Sequence, residues 1–286
     1  MALENTENPA ISVRLASTQG EIEEAQRLRY KVFYEEYDAI PTKEMMKLRR
    51  DMDDLDAVAD HLIVIDNSSG KDVIVGTYRL LRRGPAEKHG GFYSSGEYDL
   101  TKIMDSDISL LELGRSCVLP EYRSRPILQL LWQGIGGYIS EHKIELLFGC
   151  GSLHGTEVKN ISRPLSYMYH YHLAPENIRV RALGHRYINM DIIPKDELDP
   201  KAVFNELPPL LKGYLRVGAT VGDGAVIDPQ FNTTDVFIVM PTDVMAQRYR
   251  AHYERKNQRA MPGGKQEQPP LDIAAFIGGA MARGAV

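Results

Sequence analysis

The sequence predicts an α+β domain on a mixed central sheet flanked by helices. Three observations carry that expectation. HLIVID (61–66) and VIVGTYRLLR (73–82) are apolar strand-like runs joined by NSSGK, which reads as an antiparallel hairpin. SLLELGRSCV (109–118), a helical stretch over 126–142 and IELLFGC (144–150) follow as strand, helix and strand, a unit whose crossover makes its strands parallel neighbours. Ahead of both, Ile22, Ala25, Leu28, Val32 and Phe33 recur at helical spacing within 20–36.

The remaining elements follow in order. Residues 12–16 alternate as a short strand, and the highly charged 37–57 reads as a long loop or partly helical flap. Residues 84–96 form a polar, glycine-rich excursion. Pro126 suits a first helical turn, where its missing amide hydrogen costs nothing. After Cys150 the expected order is a loop GSLHGT, a helix over 158–171, a strand around 182–190, an apolar helix over 208–217 and a strand DVFIVM (235–240). Residues 1–256 are expected to form one domain, with a C-terminal extension from about 190. Residues 257–286, rich in Gly, Ala, Gln and Pro, read as a disordered or weakly helical tail.

Composition narrows the function. A formal net charge of −5 gives no overall attraction to nucleic acid, so an anionic partner would need a local basic patch. Cys117 and Cys150 lie in apolar runs without metal-ligand spacing, as expected of small buried residues in a reducing compartment; no metal is expected. MALENTENPA has neither the basic nor the apolar region of a secretory signal, and no run approaches the roughly 20 apolar residues that span a bilayer. The expectation is a cytoplasmic protein, with peripheral contact at the inner membrane left open.

Buried charge points to the site. In a regular strand over 110–118, Glu112 and Arg115 would face opposite ways, unless Gly114 marks a bulge that re-aims one of them. The turn EYRSRP then sets Arg123 and Arg125 at a helix start, where backbone amides and guanidiniums suit a phosphate. Neither GxGxxG nor GxxxxGK[ST] occurs, which argues against dinucleotides and P-loop nucleotides. His61 and Asp66 fit an H-x4-D acyltransferase pattern, but five residues apart on one strand they cannot meet as a dyad.

LRYKVFYEE (28–36), DMDDLD (51–56), GTYRLL (76–81) and LELGRSCV (111–118), in that order, resemble the acyl-homoserine-lactone synthases. GCGSLHGT and the pieces from LPPLLKGYLRVGA to DVFIVM look more like a sister family, the L-ornithine N(alpha)-acyltransferases, which use a 3-hydroxyacyl-acyl carrier protein. The resemblance implies a GNAT-like fold in which a phosphopantetheine arm slips between two splayed parallel strands, here 110–118 and 144–150. It implies Glu112 and Arg115 as catalytic residues, with Glu112 the base that frees the attacking amine. Arg29, Phe33, Asp53, Asp56 and Arg79 become substrate-binding residues, and Arg123 and Arg125 hold the phosphopantetheine. The aspartates would restrain the δ-ammonium of ornithine and the arginines pair with its carboxylate, unless the cluster is an ion network tying flap to core.

The usual pyrophosphate loop of GNAT enzymes, Q/R-x-x-G-x-G/A, is replaced by RSRPIL (123–128), without either glycine. A carrier-protein donor offers one phosphodiester, so the loss fits acyl carrier protein better than coenzyme A. No cofactor is implied beyond that co-substrate. Two alternatives remain: acyl-homoserine-lactone synthesis, disfavoured by the long C-terminal continuation, and a non-catalytic acyl-carrier- or lipid-binding module, disfavoured by Glu112 and Arg115 together. LPPLLKGYLRV reads as a core helix before it reads as an acyl-tunnel wall or membrane contact.

Overall fold

The computed structural model describes residues 10–123 and 125–245 and the backbone of Leu3–Glu4, with the side chains of residues 125, 126 and 129 outside it. The proposed tail, 257–286, lies outside the described residues. The strands are β1 (Leu3–Glu4), β2 (Ile11–Leu15), β3 (Asp60–Asp66), β4 (Val73–Arg82), β5 (Tyr98–Asp99), β6 (Leu110–Val118), β7 (Leu146–His154), β8 (Arg181–Ala182), β9 (Thr220–Asp228) and β10 (Thr233–Pro241). They join edge to edge in the order β1-β2-β3-β4-β6-β7-β10-β9-β8-β5. β3 and β4 form the expected antiparallel hairpin, and β6 and β7 the expected parallel pair.

Helix α1 (Gln19–Tyr30) starts at a capping box, in which Thr18 and Glu21 satisfy each other's backbone amides, and runs on into a π-helical segment, Lys31–Glu36. The flap is partly helical, as expected, with α2 (Lys43–Leu48) and a 3-10 turn at Asp54–Ala57. The excursion after β4 contains α3 (Arg83–Lys88) and a 3-10 turn at Tyr93–Gly96, and α4 (Thr101–Met104) precedes β6. Then come α5 (Arg125–His142), α6 (Ser162–His172), α7 (Pro200–Glu206) and α8 (Pro209–Val217).

Alternation along the strands divides the core. Leu62, Val64, Leu80 and Leu111 share a cluster with Ile127, Leu131 and Trp132 of α5. Ile63 and Ile65 face the other way, against Ala25 of α1. On that second side Leu81, Leu110 and Phe148 pack with Phe92, Tyr98 and Phe237. The flap and the segment before β6 lie on this side, and so does the site.

Four sequence readings change. GSLH (151–154) continues β7, paired throughout with β10, because ladder bonds outweigh the turn propensity of its glycines. The expected strand over 182–190 shrinks to β8 and a lone bridge from Ile188 to Ala225. β9 and α7 are additional; the glycines of TVGDGAVID mask the strand signal of β9, which tertiary pairing with β10 supplies. The bulge in β6 falls on Arg115 and Ser116, which stand opposite Tyr78, while Gly114 stays paired with Arg79. Arg115 itself takes the left-handed conformation, at φ 50°.

Gly149 lets β6 and β7 meet before they part. A Cβ there would lie 2.3 Å from the Leu113 carbonyl oxygen. Gly149→Ala is expected to cost about 1–3 kcal/mol and to lower the melting temperature by several degrees, read by thermal unfolding. A variant as stable as the parent would contradict this close approach.

Candidate active site

β6 and β7 are in register only at Leu110–Leu146, Leu111–Leu147 and Glu112–Phe148. Beyond this the edge of β6 that faces β7 has no partner strand, while β7 stays paired with β10. A cleft of about 480 Å³ lies over the opening, reached by Glu112, Arg115, Cys150 and Asp235. Its apolar wall comes from Pro208, Pro209 and Leu210 at the start of α8, whose Leu211, Leu215 and Val217 are buried in the core.

Glu112 sits on the floor, 4% exposed. Its Oε1 accepts hydrogen bonds from the Ser94 amide at 2.8 Å and hydroxyl at 2.5 Å, and its Oε2 from the Tyr93 amide at 2.9 Å. Oε2 therefore keeps one acceptor position. Burial pushes the carboxyl up, against the pull of these hydrogen bonds, towards the range useful to a base. Glu112 and Arg115 do not pair with each other. The bulge nevertheless brings Arg115 to the side of the sheet that holds Glu112, where its guanidinium lies 4.7 Å from the Tyr93 ring centre and 4.9 Å from that of Phe231.

Three arginines and three aspartates tie flap to sheet. Arg29, 1% exposed, meets Asp51 at 2.7 Å and Asp56 at 2.6 Å. Arg79 meets Asp53 at 2.5 Å and Asp56 at 3.1 Å, and Arg115 meets Asp51 at 3.3 Å and Asp53 at 3.1 Å. Arg29 and Arg79 hold the Asp56 carboxyl well below its usual range although burial opposes them. Arg79, Arg115 and Phe33 line the cleft, whereas Arg29 and Asp56 stand behind it in the network. The network also satisfies charges that would otherwise be buried alone.

Arg123 lines the cleft mouth, donates to both oxygens of Glu36 at 2.5 and 2.6 Å, and stacks on Tyr37. Arg125 opens α5, and its side chain lies outside the described residues. Arg49, Arg50, Arg82 and Arg83 pair with Glu35, Glu23, Asp60 and Glu87, so they do not form a free basic face. His61 and Asp66 have separate partners, the Asp56 carbonyl and the Tyr122 hydroxyl. Cys117 and Cys150 are both free thiols, and both reach the cleft instead of being only core fillers.

The sequence reading missed Tyr93 and Ser94, hidden in the polar excursion, and Phe231, hidden in a turn. It also missed an acidic wall. Burial pushes Glu97 up to about 7 and Asp235 up to about 6; the Asp235 and Asp228 carboxylates add to the rise at Glu97, and Asp228 to the rise at Asp235. Asp235 was visible as the one charge heading the apolar DVFIVM.

A parallel strand pair that separates over a buried carboxylate, with arginines on one side of the cleft, defines a GNAT-fold N-acyltransferase; residues 28–133 match the family described as acetyltransferase (GNAT) domain. A relative from Brucella abortus (strain 2308), an L-ornithine N(alpha)-acyltransferase, is 46% identical over 87% of this chain and 91% of its own length. Relatives of the same name from Rhizobium meliloti (strain 1021) and Rhodobacter capsulatus are 44% and 42% identical, each over 85% of this chain and over 84% and 95% of their own lengths. The chain belongs to the L-ornithine N(alpha)-acyltransferase family.

Removing Arg29 takes one of two arginine partners from each of the buried carboxylates Asp51 and Asp56. Arg29→Ala is expected to cost about 3–5 kcal/mol, seen as a melting temperature lowered by about 10 °C or more. A small change would mean the network is dispensable. The raised carboxyls of Glu97 and Asp235 bind protons more tightly folded than unfolded. Their contribution to stability is thus complete below the ordinary carboxylate range near 4 and lost as pH rises through about 6 and 7. The ligand-free protein should melt at progressively lower temperature over that rise, and a Glu97→Gln, Asp235→Asn double variant should show a flatter profile.

Proposed function

We propose that the chain transfers a 3-hydroxyacyl group from the phosphopantetheine thioester of an acyl carrier protein to the α-amine of L-ornithine, giving lyso-ornithine lipid. Family membership supports the acceptor and the N-acyl product. The observation that carries the chemistry is the separation of β6 from β7 directly beyond Glu112. A thioester arm with amide groups can lie along the unpartnered edge of β6, with its acyl chain against the apolar wall at α8.

The attacking nitrogen must first lose a proton. With terminal and lysyl amines as stand-ins, the α-amine does so about 2.5 pH units below the δ-amine, a difference of roughly 3 kcal/mol. That proton goes to solvent; as the neutral nitrogen bonds to the thioester carbon, Glu112 takes a second one, directly or through a water. Backbone N–H groups on the open edge of β6 are the donors available to the developing oxyanion. The carbon–sulfur bond then breaks, the arm leaves as its thiol with the proton restored, and an amide remains. Arg79 and Arg115, which line the cleft, are the candidate partners of the amino-acid carboxylate, which would share them with Asp51, Asp53 and Asp56.

The donor rests on chemical fit. RSRPIL (123–128) has no glycine pair for a pyrophosphate, and Arg123 at the mouth suits a single phosphodiester. Its bond to Glu36 must open or be shared for that contact. Among the described residues no helix is long and apolar enough to cross a membrane. A cytoplasmic enzyme that releases its single-chain lipid at the inner membrane surface agrees with this.

Purified protein given 3-hydroxyacyl-acyl carrier protein and ornithine should release thiol and form lyso-ornithine lipid, identified by mass spectrometry. Another head group, or none, would overturn the reading. Glu112→Gln should lower kcat about 100- to 10,000-fold with a smaller effect on the ornithine KM, and unchanged turnover at neutral pH would remove the base role. Arg123→Ala should raise the KM for the acyl carrier several-fold and change the ornithine KM less; the opposite partition would move Arg123 to the amino-acid side.

A further inference from the structure

Asp235 is a carboxylate without a cation. It stands on β10 and lines the cleft, 4% exposed. No ion pair among the described residues includes it, and its Oδ1 has no hydrogen-bond partner there. Thr233, two residues earlier on the same strand and also in the cleft wall, has an unpartnered Oγ1. Ser152, opposite Asp235 in the β7–β10 ladder, adds a third oxygen to the wall. Arg115 is the cation that influences Asp235, but it is held by Asp51 and Asp53. Leaving a buried carboxylate in this condition is costly, and a ligand that brings the missing charge recovers that cost.

We infer that Asp235, with Thr233 and Ser152, receives the side-chain ammonium of the amino-acid acceptor and so sets the preference for a basic amino acid. This rests on the proposed acylation of ornithine. A primary ammonium presents three N–H donors, and the wall presents three oxygens. The assignment also gives the cleft a polarity that matches the acceptor: guanidiniums of Arg79 and Arg115 for the α-carboxylate, a carboxylate for the far end of the side chain. Contacts connect the two ends. Ser94 bonds Glu112 at 2.5 Å and touches the Cys150 sulfur at 3.5 Å, and that sulfur, a Glu97 oxygen and an Asp235 oxygen all lie within 4.8 Å of one another. Glu112 and Asp235 therefore line one cleft, joined by that chain of contacts, with the α-amine due at the first and the ammonium at the second.

Glu97 stands behind. It accepts from the Cys150 thiol at 3.2 Å and faces Arg186 at 3.5 Å, so it strengthens the negative potential at Asp235 without facing the cleft itself. Burial raises the Asp235 carboxyl to about 6, and an arriving cation favours the ionised form.

The test compares L-ornithine with L-norvaline, which is ornithine without the δ-amino group, in the full chain with the same acyl carrier donor. The parent should prefer ornithine in kcat/KM. Asp235→Asn should shrink the ornithine-to-norvaline ratio about 10- to 100-fold, mainly through the ornithine KM, and Thr233→Val should shrink it less. A merely structural role for Asp235 would depress both acceptors alike and leave the ratio standing, which would overturn the inference. So would zinc or manganese raising the melting temperature of the parent more than ornithine does, with that effect lost in Asp235→Asn, since the wall would then be a metal site. If Asp235→Asn does not fold, Thr233→Val and Asp235→Glu carry the same ratio test. A parent that acylates some other amine but not ornithine would defeat the proposed function; a parent that prefers ornithine while Asp235→Asn keeps that preference would defeat this inference alone.

Discussion

Everything at the site depends on a sheet that stops being a sheet. β6 and β7 hold register for three residue pairs and then diverge. Backbone groups in the middle of a sheet normally find partners, and leaving an edge open there is expensive unless something else supplies the hydrogen bonds. The divergence is built into both strands. Arg115, in a left-handed conformation that costs a non-glycine residue of order 1 kcal/mol or more, bends β6, and Gly149 marks the last close approach on β7. An open edge suits an extended, amide-bearing arm better than it suits any side chain.

The strained residue is also a charged one, which explains the neighbourhood. A bulge that turns Arg115 towards Glu112 would place an unpaired guanidinium in the core, and the flap answers with Asp51 and Asp53. Arg29 and Arg79 close the same circuit through Asp51, Asp53 and Asp56, so the flap is fixed by charge as well as by the packing of Ala39 and Met45 on Tyr30 and Tyr34. Tyr93 serves both sides at once: its ring lies beside Arg115 and its amide holds Glu112. Chemistry and architecture share these residues, and the ion network that might have been a rival explanation of the arginines is the frame that orients the ones reaching the cleft.

Across the cleft the charge reverses. The arginines end at Arg115, and the wall formed by β7 and β10 carries Asp235 with Glu97 and Asp228 nearby. A pocket with its two ends charged oppositely discriminates by orientation as well as by attraction, because the reversed pose sets like charges together.

Much of the fold was legible because its signals are local. The apolar runs 61–66 and 73–82, the helical spacing of 20–36 and the strand–helix–strand order around Pro126 are each carried by elements of a dozen or so residues, where composition and spacing act locally. Glu112 and Arg115 were legible for the same reason, as charges inside an apolar run, whereas Arg79 and Asp53 stood out only through the resemblance of GTYRLL and DMDDLD to a known family. Tertiary structure decided the rest: that Arg115 itself forms the bulge, that GSLH (151–154) is strand, that β9 exists, and that Ser94 from one segment and Phe231 and Asp235 from another, far along the chain, gather around the cleft of Glu112. Strand pairing and charge compensation act between segments far apart in the chain, so residue order sets which contacts are possible, and only the closed sheet selects among them.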